Sequence, residues 1–201
     1  MKRKITKLCF CVFAAAVFAL LFSFAVYANS MQKMFDDELY GKVVRLHVIA
    51  NSDSWEDQEA KIHVRDSILE YINGLTENAE CAENACYIIK ENLNEISMYV
   101  NRQVQSLGYS YNAQVKFSPE RYPVRYYNSF AFPSGVYDSL RIVLGEGEGK
   151  NWWCVLYPSV CTALSSDICD ILEDGGVSQR VTDIMCSDNV RFRFALFDLF
   201  N

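Results

Sequence analysis

Imidazole is the one side chain that changes charge near neutral pH without help, so His47 and His63 are where acid–base chemistry would be sought first. Neither stands in a pattern that would use it. A nucleophile–base pair calls for a Gly-x-Ser-x-Gly elbow or a Cys-Gly-x-Cys-Trp segment, and a zinc hydrolase for His-Glu-x-x-His; the chain contains none of these. Asp53, Glu56 and Asp57 could hold a cation, but acids at the start of a helix are accounted for by the free N–H groups and positive dipole end they face. Glu146 and Glu148 could ligate calcium, yet residues two apart in a tight turn splay their side chains and no third acid lies near them. The glycines around them lack the Gly-Lys-Ser/Thr ending of a phosphate loop. No catalytic residue, cofactor or metal site is expected.

Binding is the better supported chemistry. Tyr122, Tyr126, Tyr127, Phe130, Phe132, Tyr137, Trp152, Trp153 and Tyr157 crowd one third of the chain. An alternating strand cannot bury Trp152 and Trp153 on the same face, so under a sheet covered on one side only, one of them faces outward. Exposed aromatics beside arginine suit a protein contact or a glycan platform. A loop such as 158–170 lying over Trp153 would bury it instead.

These residues sit in elements that the periodicity marks out. From Val43 to Ala50 the chain alternates as a strand, with Val44, Leu46, Val48 and Ala50 on one face and Val43, Arg45, His47 and Ile49 on the other. Ser54 caps a helix carrying Val64, Ile68 and Ile72 that ends at Gly74, and a longer helix runs from about Ala82 to Leu107, closed by Gly108. Period-two stretches over 111–117 and 122–127 predict a hairpin around Ser118-Pro-Glu-Arg121. Strands follow at 140–144 and 152–157, joined by the turn Gly145-Glu-Gly-Glu-Gly-Lys150, then a short helix at 165–172 and a strand at 190–196. The expected fold is α+β, with two helices on one face of a mainly antiparallel sheet.

The N-terminus sets the compartment. Lys2, Arg3, Lys4 and Lys7 precede an apolar run from Leu8 to Val26, and Val26-Tyr27-Ala28 suits signal-peptidase cleavage after Ala28. The run is also just long enough to span a bilayer as an anchor, and the basic flank keeps the N-terminus in the cytoplasm either way. We therefore divide the chain into residues 1–28 (signal peptide or anchor), 29–42 (a short polar lead-in) and 43–201 (a single domain). Beyond residue 28 there are 15 basic and 25 acidic side chains, which disfavours nucleic acid as a partner.

Six cysteines lie in the exported part, and an even number outside the cytoplasm favours disulfides. Neighbour pairing gives Cys81–Cys86, Cys154–Cys161 and Cys169–Cys186, with buried free thiols as the alternative. Five residues apart inside one helix, Cys81 and Cys86 would be separated by about 8–9 Å between Cα atoms, so their bond requires the helix to begin after Cys81.

Two blocks carry a resemblance. Arg45-Leu-His-Val-Ile-Ala-Asn-Ser-Asp-Ser54 with Asp57-Gln58 and Val64-Arg-Asp66 is the first. Phe132-Pro-Ser-Gly-Val-Tyr137, Leu140-Arg141, Leu144-Gly-Glu-Gly147 and Asn151-Trp-Trp-Cys-Val-Leu-Tyr-Pro158 with Cys161 is the second. Together they resemble the stage II sporulation protein R family over about residues 41–200; residues 74–90, with Cys81 and Cys86, depart from its pattern. The resemblance implies a protein exported from the forespore into the space between forespore and mother-cell membranes. There it would activate a membrane-embedded aspartic protease that trims the precursor of a mother-cell sigma factor, acting by binding and not as an enzyme. The expected partner surface is Arg45, His47, Asn51, Asp53 and Arg65, with Trp153 and Arg141 as second choices. The rival readings are a cell-wall-binding or peptidoglycan-acting protein and a purely structural envelope protein.

Overall fold

The computed structural model describes residues 2–127, 130–160 and 168–187. The chain begins with one long helix, α1 (Lys2–Glu38), and a 3₁₀ turn at Tyr40–Lys42 that leads into β1 (Val44–Ile49). Three helices follow: α2 (Trp55–Thr76), α3 (Ala82–Glu91) and α4 (Leu93–Ser106). Next come β2 (Ala113–Tyr122), the two-residue strands β3 (Arg125–Tyr126) and β4 (Ala131–Phe132), β5 (Gly135–Leu144) and β6 (Asn151–Tyr157). The short helices α5 (Ile168–Asp174) and α6 (Gln179–Met185) complete the described part. The fold is α+β, as expected. The predicted strand at 190–196 and the partner Cys161 lie outside the described residues.

The main sheet has the order β2-β5-β1-β6. β1 runs parallel to β5 and antiparallel to β6, and β2 is antiparallel to β5, so the sheet is mixed with its one parallel pair at the centre. A parallel pair needs a crossover, and α2–α4 supply it. Their apolar stripe (Val64, Ile68, Ile72, Ile89, Ile96, Val100, Val104) packs on Val44, Leu46, Val48, Leu140, Ile142, Leu144 and Leu156 as the first core.

The sheet is covered on its other face as well, contrary to the one-sided expectation. Met34, Phe35 and Leu39 from the end of α1 join Tyr122, Phe130, Phe132, Tyr137, Val155, Leu172, Val181 and Met185 in a second core. Residues 29–42 are therefore not a detached polar lead-in. α1 runs unbroken through Ala28, and its last turns are built into the domain.

Two further expectations give way for identifiable reasons. The 82–107 helix is broken at Asn92, whose side-chain amide donates to the Ile88 carbonyl at 2.8 Å and so competes with the helix backbone. The hairpin at 118–121 does not form: β2 continues through Pro119 and pairs with β5 from Ala113↔Leu144 to Tyr122↔Gly135. β2 is an edge strand, where a proline's missing N–H is tolerated, so the proline marks an edge and not a turn.

If α1 is structurally part of the domain, Phe35→Ala should lower stability by about 3–5 kcal/mol, since its ring is fully buried. Lys33→Ala, on the exposed side of the same helix, should stay within about 0.5 kcal/mol. Equilibrium denaturation checks both, and a neutral Phe35→Ala would restore the lead-in reading.

Candidate functional site

The segment after β1 is a latch. Ser54 caps α2, its Oγ accepting from the Asp57 N–H at 3.2 Å. Asp57 then accepts from Ser52 Oγ (2.6 Å), Asn51 Nδ2 (2.9 Å) and Tyr111 OH (3.0 Å). On its other side Asn51 Oδ1 takes the Glu146 N–H at 3.0 Å, and Asp53 Oδ1 takes the Lys150 N–H at 2.8 Å. The Gly-rich turn thus clips onto the β1–α2 connection. Its glycines are required sterically: Gly145 has φ +54° and a Cβ there would lie 2.1 Å from Asn51 Oδ1, while one on Gly149 would lie 2.2 Å from the Ser52 carbonyl oxygen. Lys61, buried beneath, donates to Gln58 Oε1 and to the Lys150 carbonyl; burial pushes its amine below the usual lysine value, against the pull of Asp53. Burial pushes the Asp57 carboxyl up, but the hydrogen bonds from Ser52, Asn51 and Tyr111 outweigh it and hold the carboxyl below the ordinary range. Asn51 and Asp53, expected on a partner surface, are committed to holding the fold.

The second sheet face carries the other candidates. Arg45 has no exposed surface and His47 is 3% exposed, which removes both from the outer surface where a partner would meet them. Arg45 Nε donates to the Cys154 carbonyl at 2.8 Å, and its guanidinium carbon lies 4.4, 4.7 and 5.1 Å from the ring centroids of Tyr122, Phe132 and Tyr137. His47 Nδ1 lies 2.9 Å from Glu120 Oε1 and Nε2 lies 2.7 Å from Asn151 Oδ1, so both ring nitrogens are engaged. Ser139 Oγ donates to Glu120 Oε2 at 3.0 Å and lies 2.7 Å from Tyr122 OH. The carboxylate stands between the serine and the imidazole, so the chain of contacts does not form a nucleophile–base pair.

Trp153 stacks on His47 with centroids 3.6 Å apart and meets Tyr122 edge-on at 4.6 Å. Arg125 covers its other side at 4.9 Å, and Tyr127 OH donates to its carbonyl. Trp153 is therefore half-buried under the β3–β4 segment, and Trp152, 36% exposed on the helix side, is the outward tryptophan. Arg65 lies 4.2 Å over the Trp152 ring, on the face opposite to His47. Arg141 is paired in register with His47 and with Lys116, has a half-exposed side chain, and approaches Glu120 at 3.9 Å. The structure thus brings together Arg45, His47, Arg141 and Trp153, and leaves Asn51, Asp53 and Arg65 elsewhere. Glu120, Asn151 and Arg125 join this site without being among the residues expected there: a hairpin at 118–121 puts Glu120 in a turn, and only its place two residues before Tyr122 on one strand face points to the site. Among the described residues no group of three or more His, Cys, Asp or Glu could hold a metal ion.

The cysteines divide. Cys169 and Cys186 are bonded, tying α5 to the end of α6. Cys154 is disulfide-bonded, and its expected partner falls outside the described residues. Cys81 and Cys86 are free thiols, which corrects the expected bond. α3 does begin after Cys81, as the bond would require, but Cys86 turns into the first core, 3.7 Å from Asp138 Oδ2, while Cys81 is exposed. Burial, reinforced by Asp138, pushes the Cys86 thiol up to about 12.

Two measurements follow from these environments. Maleimide labelling of the folded protein at pH 7.5, mapped by mass spectrometry, should modify Cys81 and spare Cys86 until the chain is unfolded; equal labelling of both would contradict the buried thiol. The depressed Asp57 carboxyl contributes stability that is fully present above the unfolded value near 3.8 and is lost as pH falls through its lower folded value. Asp57→Asn should therefore cost about 1–3 kcal/mol at pH 7 and flatten the acid limb of the stability curve, as read by urea denaturation from pH 7 to pH 3.

The family model for stage II sporulation protein R matches residues 40–167, from the 3₁₀ turn before β1 through β6. Stage II sporulation protein R of Bacillus subtilis (strain 168) is 34% identical over 120 residues, covering 60% of this chain and 54% of that protein. The match spans about half the length of that curated relative. No solved structure matches the chain. With more than half of its length under the family model, the chain belongs to the stage II sporulation protein R family.

Proposed function

We propose that this chain is an exported signalling protein of sporulation. It is made in the forespore and acts outside that membrane to activate a membrane-embedded aspartic protease, which then processes the precursor of a mother-cell sigma factor. The observation that carries this reading is family membership over the whole sheet, residues 40–167. An N-terminal helix long and apolar enough to cross a membrane, as signal or anchor, supports export.

The protein acts here as a binding partner. An activator must bind the active state of its target more tightly than the resting one, and turning a mostly inactive protease mostly active needs roughly 3–5 kcal/mol of differential binding. The contact surface we favour is the uncovered end of the second sheet face, where Arg141 and Lys116 stand over the Glu120–His47–Trp153 stack. Arginine and tryptophan at such a place are frequent anchors of protein interfaces. Trp152, partly exposed beneath an Arg65 that is itself ion-paired with Asp66, is a separate place that suits a glycan platform and where a cell-wall-binding role would act.

Reconstitution of protease, precursor and the complete chain in vesicles, with the domain on the outer side, tests the proposal. Precursor cleavage should require the chain. Arg141→Ala should reduce cleavage about tenfold while moving the melting midpoint by no more than about 2 °C, because the side chain is half-exposed and its approach to Glu120 is long. Cleavage unaffected by omitting the chain would end the signalling reading. Cleavage that needs the chain but ignores Arg141→Ala would relocate the contact.

A further inference from the structure

The second core holds two guanidinium groups and, among the described residues, no carboxylate ion-paired with either. Arg45 is fully buried; only its Nε has an acceptor, and Nη1 and Nη2 have none. Three ring faces surround it, but rings satisfy a cation's charge better than its N–H groups. Arg125, on β3, also has its Nε buried and without an acceptor. Burial lowers the Arg125 guanidinium below its usual value, and the charge of Arg45 adds to that effect while Tyr127 opposes it. Arg45 lies on Tyr122 at 4.4 Å, Arg125 on Trp153 at 4.9 Å, and the two rings meet at 4.6 Å; two like charges along one aromatic wall are unfavourable unless an anion neutralises them.

We propose that Arg45 and Arg125 form a binding site for one carboxylate group, gripped by the two Nη atoms of Arg45 with Arg125 on the outer side. The ligand class follows from the walls. Nη1 and Nη2 form a planar fork that matches a carboxylate in parallel hydrogen bonds. Tyr122, Phe132, Tyr137 and Trp153 give an apolar lining, in which a single negative charge is cheaper to desolvate than the double charge of a phosphate. Arg125 is half-buried, on a strand of two residues, and is the more accessible of the two cations, whereas Arg45 has no exposed surface. A carboxylic acid free in solution and an aspartyl or glutamyl side chain of another protein offer the same group. The site does not depend on the signalling reading.

The test uses the complete chain in detergent micelles at constant ionic strength, with thermal midpoints recorded against acetate, N-acetyl-aspartic acid amide, inorganic phosphate and chloride. A saturable rise of about 3–5 °C at ten times the half-saturating concentration is expected for a carboxylate, and none for chloride. The stronger of the two carboxylate probes assigns the source, acetate to a free acid and the aspartyl compound to a protein side chain. Arg45→Met and Arg125→Gln should each abolish the rise; if Arg45→Met fails to fold, Arg125→Gln decides alone. The proposal is overturned by an equal rise with chloride, by a larger rise with phosphate, by no saturable rise with either carboxylate, or by a rise that survives Arg125→Gln.

Discussion

Every residue of β1 is buried, because the strand is flanked by β5 and β6 and covered on both faces. That single constraint organises the molecule. A half-buried strand could have sent Arg45 and His47 to water; this one cannot, so each must be met inside. Burying a guanidinium without an anion costs several kcal/mol, and three cation–π contacts of about 0.5–2 kcal/mol each offset much of that. The aromatic density of residues 122–153 is thus explained by the charge it surrounds. His47 is met by Glu120 from the far edge strand and Asn151 from the near one, so its ring ties β2 to β6 across the width of the sheet. A one-residue slip of β1 would place Val44, Leu46 and Val48 in this polar layer and the cation and imidazole against the helices, so the register is strongly specified.

The same two-sided burial joins the N-terminal helix to the domain. Met34 and Phe35 close the second core from one side, and Glu38 accepts a hydrogen bond from Ser178 at the start of α6. Counted along a helix, Met34 lies only about 12 Å beyond Val26, the last residue of the apolar run. Were α1 to span a membrane, the domain would be held close to the bilayer by the last turns of that same helix. Cleavage after Ala28 would leave residues 29–38 as a helix of the domain, so the second core survives either outcome, and what cleavage changes is the tether.

Local periodicity made much of the architecture legible. The β1 alternation, the Ser54 cap, the stripe of α2 and the strands at 140–144 and 152–157 are all stated by residue spacing, which depends on neighbours a few positions away. What periodicity does not carry is which faces become covered. Spacing alone points Arg45 and His47 outward and leaves Trp153 open, because the layer over them comes from α1, β3–β4, α5 and α6, none of which announces its packing partner locally. The hairpin failed for a related reason: Pro119 reads as a turn unless the strand is known to be an edge, and that is a property of the sheet. Asn92 was locally readable, since asparagine inside a helix competes for backbone groups, but the apolar stripe running through both α3 and α4 masked the break.

The residues on which the resemblance rests are joints of the fold. Asn51, Asp53 and Asp57 clip the glycine turn, Gly145 gives Asn51 its room, and Arg45, His47 and Trp153 fill the second sheet face. Residues committed to such contacts bear on the architecture more directly than on the activity. A partner can touch only what reaches solvent. On the second face Arg141 and Lys116 do so, two strand neighbours carried by the same layer but not required by its packing. A change there alters what the surface offers and leaves the layer beneath intact, so the proposed contact can be probed separately from the fold.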